Sequence, residues 1–297
     1  MEKLKNLFKQ FKPFNIKDKK CLSNLSEGYI SSLISYEYIV KNKTIFLVLP
    51  NINLAQTYYD NISMLVGSEN VVFYPADELL TSILSLGLES FKIERIFTRG
   101  ELIKNSKKIV ILNQASAMRK TLGLEKWKKA ILKFKPGVNY DFKCLSERLV
   151  NYGYKKEYTV IKQGEFSIRG SIIDVFPLGS ETPYRLDFFD TELEKIKIYD
   201  PKTQISIGEV NEFILLPMSE LFYDDLLKDE AVKRMEEYLL KEKLTGEVKD
   251  TFNKDIDSIY ERIDLEELEH YMGFFSSETI FDFSNDKEIY FLDINLM

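Results

Sequence analysis

Two neighbouring stretches in the middle of the chain, residues 164–177 and 183–190, alternate apolar and polar positions. This period is typical of half-buried β-strands. The alternation puts Arg169 and Arg185 on polar strand faces, and it puts Phe189 on the same face as Arg185. An aromatic ring beside an arginine is the composition of protein–protein hot spots. Two interpretations stay open from spacing alone: Phe189 belongs to an interface, or it packs under a neighbouring loop or helix.

The first third of the chain alternates strand-like and helix-like patterns. Apolar runs that are typical of strands buried on both faces cover residues 44–50, 71–75 and 107–112. Apolar residues at helical spacing follow Asn53 and occur again over residues 90–103. Strand–helix–strand alternation predicts a parallel sheet.

The pattern changes near Met118. A helix with Asp141 as its N-cap and Gly153 at its end precedes the two alternating stretches, and another alternating strand covers residues 194–199. Strands in succession beside one helix predict a small α+β domain over residues 119–206.

Beyond that domain the chain becomes acidic and mostly helical. The predicted elements there are helices over 221–240 and 256–271 and a strand over 287–294. The chain is thus predicted to hold three segments. Residues 1–118 form the first part of an α/β domain, residues 119–206 form the α+β domain, and residues 207–297 continue the first domain.

Composition narrows the possible functions. The 297 residues are 44% hydrophobic and 30% charged, as in ordinary soluble proteins. The net charge of -6 does not indicate that the chain as a whole binds DNA. Residues 1–5 are charged and lead into no apolar segment, so we expect a cytoplasmic protein without a membrane partner. Cys21 and Cys144 lack metal-site spacing, and His270 is the only histidine, so neither a metal nor another cofactor is expected.

A nucleotide-hydrolysing α/β domain should carry Gly-x-x-x-x-Gly-Lys-Ser/Thr before a helix, to cradle phosphate and bind magnesium. The corresponding stretch begins at Ser23 and keeps only Gly28 of this pattern. Tyr29 replaces the lysine, Ile30 replaces the hydroxyl residue, and Glu27 adds a negative charge. Nucleotide hydrolysis by this chain is therefore disfavoured.

A basic and aromatic stretch around Trp127 and Phe134 allows two interpretations. Its lysines are Lys126, Lys128, Lys129, Lys133 and Lys135. The rings could stack on bases while the lysines contact phosphates. Alternatively, both rings belong to the core, residues 130–135 form an edge strand, and the lysines protect that edge.

Several motifs occur together in a specific order. They are Gly153-Tyr154, residues 164–170, residues 173–177, Pro183–Phe189, Ile196, Tyr199-Asp200 and Thr203-Gln204, with weaker ones at Phe73–Glu78 and Leu215–Glu220. In order and spacing they resemble the UvrB-homology module of the bacterial transcription-repair coupling factor family. The resemblance covers about Leu22 to Ile294.

The excision-repair protein UvrB shares the Arg169-Gly170 and 173–177 elements, but the chain departs from it twice. UvrB keeps an intact phosphate loop, and it inserts an aromatic β-hairpin for which residues 91–111 leave no room. A degenerate loop without the hairpin resembles the N-terminus of the coupling factor. The chain therefore looks like an N-terminal fragment of a longer family protein.

The resemblance implies a degenerate P-loop NTPase-like (RecA-like) parallel-sheet domain that is interrupted by a small α+β UvrA-binding domain. It implies an adaptor without ATPase activity that recruits UvrA to stalled RNA polymerase. The full-length family protein translocates on DNA at the expense of ATP. It binds RNA polymerase and duplex DNA through domains that lie outside this chain.

The residues through which the family contacts UvrA correspond to Arg169, Arg185 and Phe189, with Lys155 as an additional candidate. Replacing Arg185 or Phe189 with alanine is then expected to abolish UvrA binding and to leave thermal stability nearly unchanged. Two competing functions remain. The first is an active DNA-dependent ATPase or UvrB-like damage-binding protein. The second is a DNA-binding module that uses the Trp127 stretch.

Overall fold

The computed structural model of the chain describes residues 23–77, 85–104, 107–243, 245–263 and 267–292. The sequence-based statements on Cys21, Glu78 and residues 264–266 and 293–294 lie outside the described residues. Within these ranges, no helix combines the length and the apolar character needed to cross a membrane.

Most regular elements follow the predicted order, but the helix predicted over residues 256–271 does not, because an α-helix ends at Glu261 and a 3₁₀ turn covers Glu267–Tyr271. The α-helices are α1 (Glu27–Lys41), α2 (Ile52–Val66), α3 (Ser85–Ile103), α4 (Gln114–Met118), α5 (Leu124–Ala130), α6 (Phe142–Asn151), α7 (Asp225–Lys241), α8 (Gly246–Glu261) and α9 (Met272–Phe275). The strands are β1 (Thr44–Leu49), β2 (Val71–Tyr74), β3 (Ile109–Asn113), β4 (Leu132–Phe134), β5 (Lys155–Lys156), β6 (Glu165–Arg169), β7 (Ile172–Val175), β8 (Tyr184–Phe189), β9 (Glu192–Tyr199), β10 (Ser206–Val210), β11 (Phe213–Leu215) and β12 (Lys287–Phe291). Short 3₁₀ turns cover Ser68–Asn70, Glu267–Tyr271 and Ile280–Phe283.

The chain divides into two compact units, one formed by residues 1–119 with 279–297 and the other by residues 120–278. The first unit contains a parallel sheet in the order β12-β1-β3-β2, so the predicted parallel sheet is confirmed. Every residue of β1, β2 and β3 is buried, which explains their continuous apolar runs. Between residues 91 and 111 the described backbone is helix α3 and strand β3, with no hairpin.

Strand β12 joins this sheet from the far end of the sequence by pairing in parallel with β1. Ion pairs reinforce the pairing, from Lys41 to Glu288 at 3.4 Å and from Lys43 to Asp286 at 3.3 Å. The last predicted strand is therefore present, and it belongs to the first unit.

Residues 207–278 lie in the second unit. The sequence analysis instead predicts that the chain rejoins the first domain from residue 207 onward. The buried hydroxyl of Tyr154 donates to the Leu216 carbonyl at 2.7 Å. The Arg262 guanidinium donates to the Asn151 side chain at 3.0 Å and to the Tyr223 carbonyl at 2.6 Å. These bonds join the late helical segment to α6 and its C-terminal turn, a long-range contact that a periodicity pattern does not show.

The second unit is built on a sheet in the order β10-β9-β8-β7-β6-β5, which is antiparallel except for the β5–β6 pair. Helix α6 begins where the sequence predicts, with the Asp141 carboxylate accepting from the Cys144 amide at 2.9 Å. Gly153 ends it at a φ of +86°, where a Cβ atom would come within 3.1 Å of Ser219.

Trp127 and Phe134 are core residues, each 1% exposed or less. The Trp127 ring meets Phe222 edge-on at 5.1 Å, and Phe134 stacks on Phe213 at 4.9 Å, where β4 pairs with β11. The hypothesis that these rings stack on bases is wrong, because neither ring reaches solvent. The five lysines around them are exposed, in agreement with the core interpretation.

Replacing Trp127 with alanine leaves a large cavity, so we expect the free energy of unfolding to fall by about 3–5 kcal/mol. The measurement is urea denaturation followed by circular dichroism. Tyr158, an aromatic residue that is 83% exposed in the same unit, gives the control Tyr158→Ala, with a change within about 0.5 kcal/mol. Equal midpoints for both variants would contradict the core assignment.

Candidate functional site

The register of the six-stranded sheet places the predicted site residues on one face. Arg169 on β6 and Arg185 on β8 flank the central strand β7, and Asp174 of β7 lies opposite Arg185. Phe189 follows Arg185 by four positions on β8, and Lys155 lies on the edge strand β5. Because alternate residues of a strand share a face, these five residues define one surface, called the polar face below.

The opposite face of the sheet forms the core of the unit. Phe166, Ile173, Leu186 and Phe188 are at most 5% exposed. The Phe188 ring meets Phe142 of α6 at 4.5 Å. The predicted alternation is therefore confirmed in both strands, and the residues of the polar face are not needed to fill the core.

Asp174 is fully buried at the centre of the polar face and accepts hydrogen bonds from two arginines. Its Oδ1 accepts from Arg185 Nε at 2.7 Å, and its Oδ2 accepts from Arg185 Nη2 at 3.0 Å. The same Oδ2 accepts from Arg169 Nη2 at 2.5 Å. A carboxylate without solvent needs such charge-assisted bonds, since an unpaired buried charge is very costly.

Arg185 is held on several sides. Besides Asp174, its Nη1 lies 3.4 Å from the carbonyl oxygen of Gln204, and its guanidinium lies 4.4 Å from the centre of the buried Tyr199 ring. The Gln204 side chain in turn donates to the Val160 carbonyl at 3.2 Å. The hydrogen bonds to Asp174 raise the pKa of Arg185 above its ordinary value, so this residue stays charged.

The two arginines differ in accessibility. The side chain of Arg169 is 39% exposed, and that of Arg185 is 17% exposed. Arg169 bonds to Asp174 through Nη2 alone, whereas Arg185 uses both Nε and Nη2. Arg169 is therefore the arginine that another molecule can reach most directly.

Phe189 is 72% exposed at the end of β8, so the interpretation that it packs under a loop or helix is wrong. Asp190 follows it in the left-handed region at a φ of +54°, where the chain turns into β9. Lys155 is also exposed, on the edge strand β5. A solvated phenylalanine adds nothing to folding, which makes it available for binding.

A second ion pair lies on the same side of the sheet. Lys197 donates to the Asp187 carboxylate at 2.5 Å, and Asp187 lies between Arg185 and Phe189 on β8. The side chains are 30% and 23% exposed, so the Asp187 carboxylate is more solvated than the fully buried Asp174.

Sequence reasoning included Asp174 and Gln204 in the motifs 173–177 and Thr203-Gln204 but assigned neither residue a role at the site. The signal for Asp174 was present, because a single acidic residue interrupts the apolar run of Ile172–Val175. Gln204 was visible only as part of the Thr203-Gln204 motif, since its bond to Val160 joins segments 44 residues apart. The expectation that Arg185→Ala leaves stability unchanged is also incompatible with the buried bonds from Arg185 to Asp174.

The stretch that corresponds to a phosphate loop is described from Ser23, and its residues from Glu27 to Ile30 form the first turn of α1. The Ser26 side chain caps this helix by accepting from the Tyr29 amide at 3.4 Å. Glu27 thus places an acidic residue in the first turn of this helix, at the end where a phosphate would bind. In the part of the chain that the structure describes, no group of His, Cys, Asp and Glu residues could hold a metal ion.

Part of the second unit is similar to a known family. Residues 132–221 match the family model of the UvrB interaction domain. The matched stretch runs from β4 past β11 and contains every residue of the polar face.

Along most of its length the chain is also similar to transcription-repair-coupling factors, which confirms the resemblance seen in its motifs. It is 29% identical to that of Bacillus subtilis over 281 residues, 92% of this chain and 24% of the relative. It is 28% identical to one from Staphylococcus epidermidis over 246 residues, 82% of this chain and 21% of the relative. The chain spans about a quarter of the length of these relatives.

Replacing Arg185 with alanine removes two bonds from the buried Asp174. We expect the free energy of unfolding to fall by about 1.5–3 kcal/mol, the usual contribution of hydrogen bonds to a charged group. Phe189→Ala should change it by less than about 0.5 kcal/mol, because the ring is exposed. Urea denaturation of both variants measures the difference, and an unchanged midpoint for Arg185→Ala would rule out a stabilising role for these bonds.

Proposed function

We propose that the chain is an adaptor module that recruits UvrA of nucleotide excision repair to stalled RNA polymerase. The observation that supports this most is the exposed Phe189 on the same face as two arginines, inside the UvrB interaction domain. A UvrB-like docking domain on a coupling factor can offer UvrA the surface that UvrB itself offers.

In this proposal the polar face docks through three kinds of contact. Phe189 fills an apolar pocket on UvrA, since a buried aromatic anchor is typical of interface hot spots. Arg169 and Arg185 pair with acidic groups on UvrA, where bidentate guanidinium–carboxylate bonds give both strength and orientation. Lys155 adds a positive charge at the rim.

The first unit is proposed to be a degenerate P-loop NTPase-like (RecA-like) domain without ATPase activity. Its parallel sheet with helices fits that architecture, and Glu27 and Tyr29 replace the features that bind phosphate. Contacts with RNA polymerase and duplex DNA are assigned to the remaining parts of the longer relatives. Such a module acts in the cytoplasm, where transcription and repair of bacterial DNA take place.

Binding of UvrA to the chain tests the proposal. Phe189→Ala and Arg169→Gln should each weaken binding by about 2 kcal/mol or more, because each removes an anchor from the centre of the interface. Titration of UvrA by calorimetry gives the dissociation constants.

Matched controls come from elsewhere in the same unit. Leu240 is 76% exposed on α7, and the Arg234 side chain is 49% exposed and paired with Glu230. Leu240→Ala and Arg234→Gln should bind UvrA like the unaltered chain. If Phe189→Ala and Arg169→Gln also bind as tightly as these controls, the polar face is not the docking site.

The competing ATPase function is tested by equilibrium binding of labelled ATP. We expect no saturable binding in the micromolar range, since Glu27 repels phosphate and Tyr29 cannot supply the positive charge of a lysine. A saturable signal that is competed by unlabelled ATP would favour the ATPase.

A further inference from the structure

The polar face contains a buried acid at the point where the proposed function needs positive charge. Asp174 is fully buried, and both of its carboxylate oxygens accept from arginine. A protein surface that attracts acidic groups gains no attraction from a carboxylate beneath it. The presence of Asp174 therefore calls for a reason other than charge.

The bonding pattern supplies that reason. Arg185 presents Nε and Nη2 side-on to Asp174, while Arg169 bonds to the same carboxylate through Nη2 alone. Tyr199 and Gln204 hold Arg185 from its other sides. One buried group thus fixes the positions of two long side chains that would otherwise sample many rotamers.

We infer that Asp174 is a positioning residue of the UvrA docking face, which holds Arg169 and Arg185 as one preorganised cationic unit. The inference rests on the proposed function. Two guanidinium groups and one carboxylate leave a net charge of +1, and the exposed part of that charge is on Arg169. Fixing arginine side chains before binding lowers the entropy lost when a partner's carboxylates dock.

An effect of charge and an effect of positioning predict different changes in UvrA affinity for the substitution Asp174→Asn. Asp174→Asn removes a negative charge from a face that binds an acidic surface, so electrostatics alone would leave UvrA binding unchanged or tighten it. If Asp174 positions the arginines, the same substitution weakens binding, because the amide nitrogen cannot accept a hydrogen bond from a guanidinium.

Asp187 offers the matched control. It lies on the same side of the sheet and forms its ion pair with Lys197, whereas Asp174 accepts its hydrogen bonds from the two arginines. Asp187→Asn makes the same change in charge. We expect Asp174→Asn to weaken UvrA binding at least about tenfold, a loss of about 1.4 kcal/mol, and Asp187→Asn to stay within about twofold.

The experiment is titration of UvrA with the whole chain and each variant, with circular dichroism to establish that each variant is folded. A folded Asp174→Asn variant that binds as tightly as the unaltered chain, or more tightly, overturns the inference. If in that case Phe189→Ala still loses binding, the proposed function stands and only the role of Asp174 is wrong. If Phe189→Ala and Arg169→Gln bind normally, the docking face itself is wrong.

Should Asp174→Asn fail to fold, the unaltered chain decides the question by NMR with ¹⁵N-labelled arginine. Positioning by Asp174 predicts slow rotation about the Nε–Cζ bonds of Arg169 and Arg185, with separate Nη signals for each residue. Averaged Nη signals for Arg169 and Arg185, like those of a solvated arginine, would overturn the inference.

Discussion

The arrangement of the second unit depends on one buried carboxylate. Asp174 lies on the central strand β7, has no contact with water, and draws Arg169 from β6 and Arg185 from β8 into the same cluster. Because a buried charge must be paired, formation of the sheet also fixes the positions of the two arginine side chains. The sheet and its polar face are thus stabilised by the same bonds.

This constraint separates two tasks between the faces of one sheet. Phe166, Leu186 and Phe188 fill the core on one side, while Phe189, next in sequence after Phe188, remains solvated on the other. An antiparallel sheet can hold one dry and one wet face, so binding residues can be placed without loss of core packing. Arg185, however, contributes both to stability and to the proposed docking, so its substitution affects both.

The first unit satisfies its packing and one helix end with its own residues. Its parallel sheet has fully buried strands β1 and β3, so the requirements of packing are met. The start of α1 is capped by Ser26 and carries Glu27 in its first turn. Those two residues satisfy the helix end within the chain itself, in a place where a phosphate-binding loop would leave amides for a ligand.

The sequence by itself determined the order of elements, the parallel sheet, the N-cap at Asp141 and the faces of β6 and β8, because these follow from local periodicity and capping chemistry. It also placed Arg169, Arg185 and Phe189 on polar faces. Only the tertiary structure decided that Phe189 is exposed, that Trp127 is buried, and that Asp174 and Gln204 hold Arg185. Those facts depend on contacts between residues that are distant in the chain, and a one-dimensional pattern contains the period of a strand but not the identity of its neighbours.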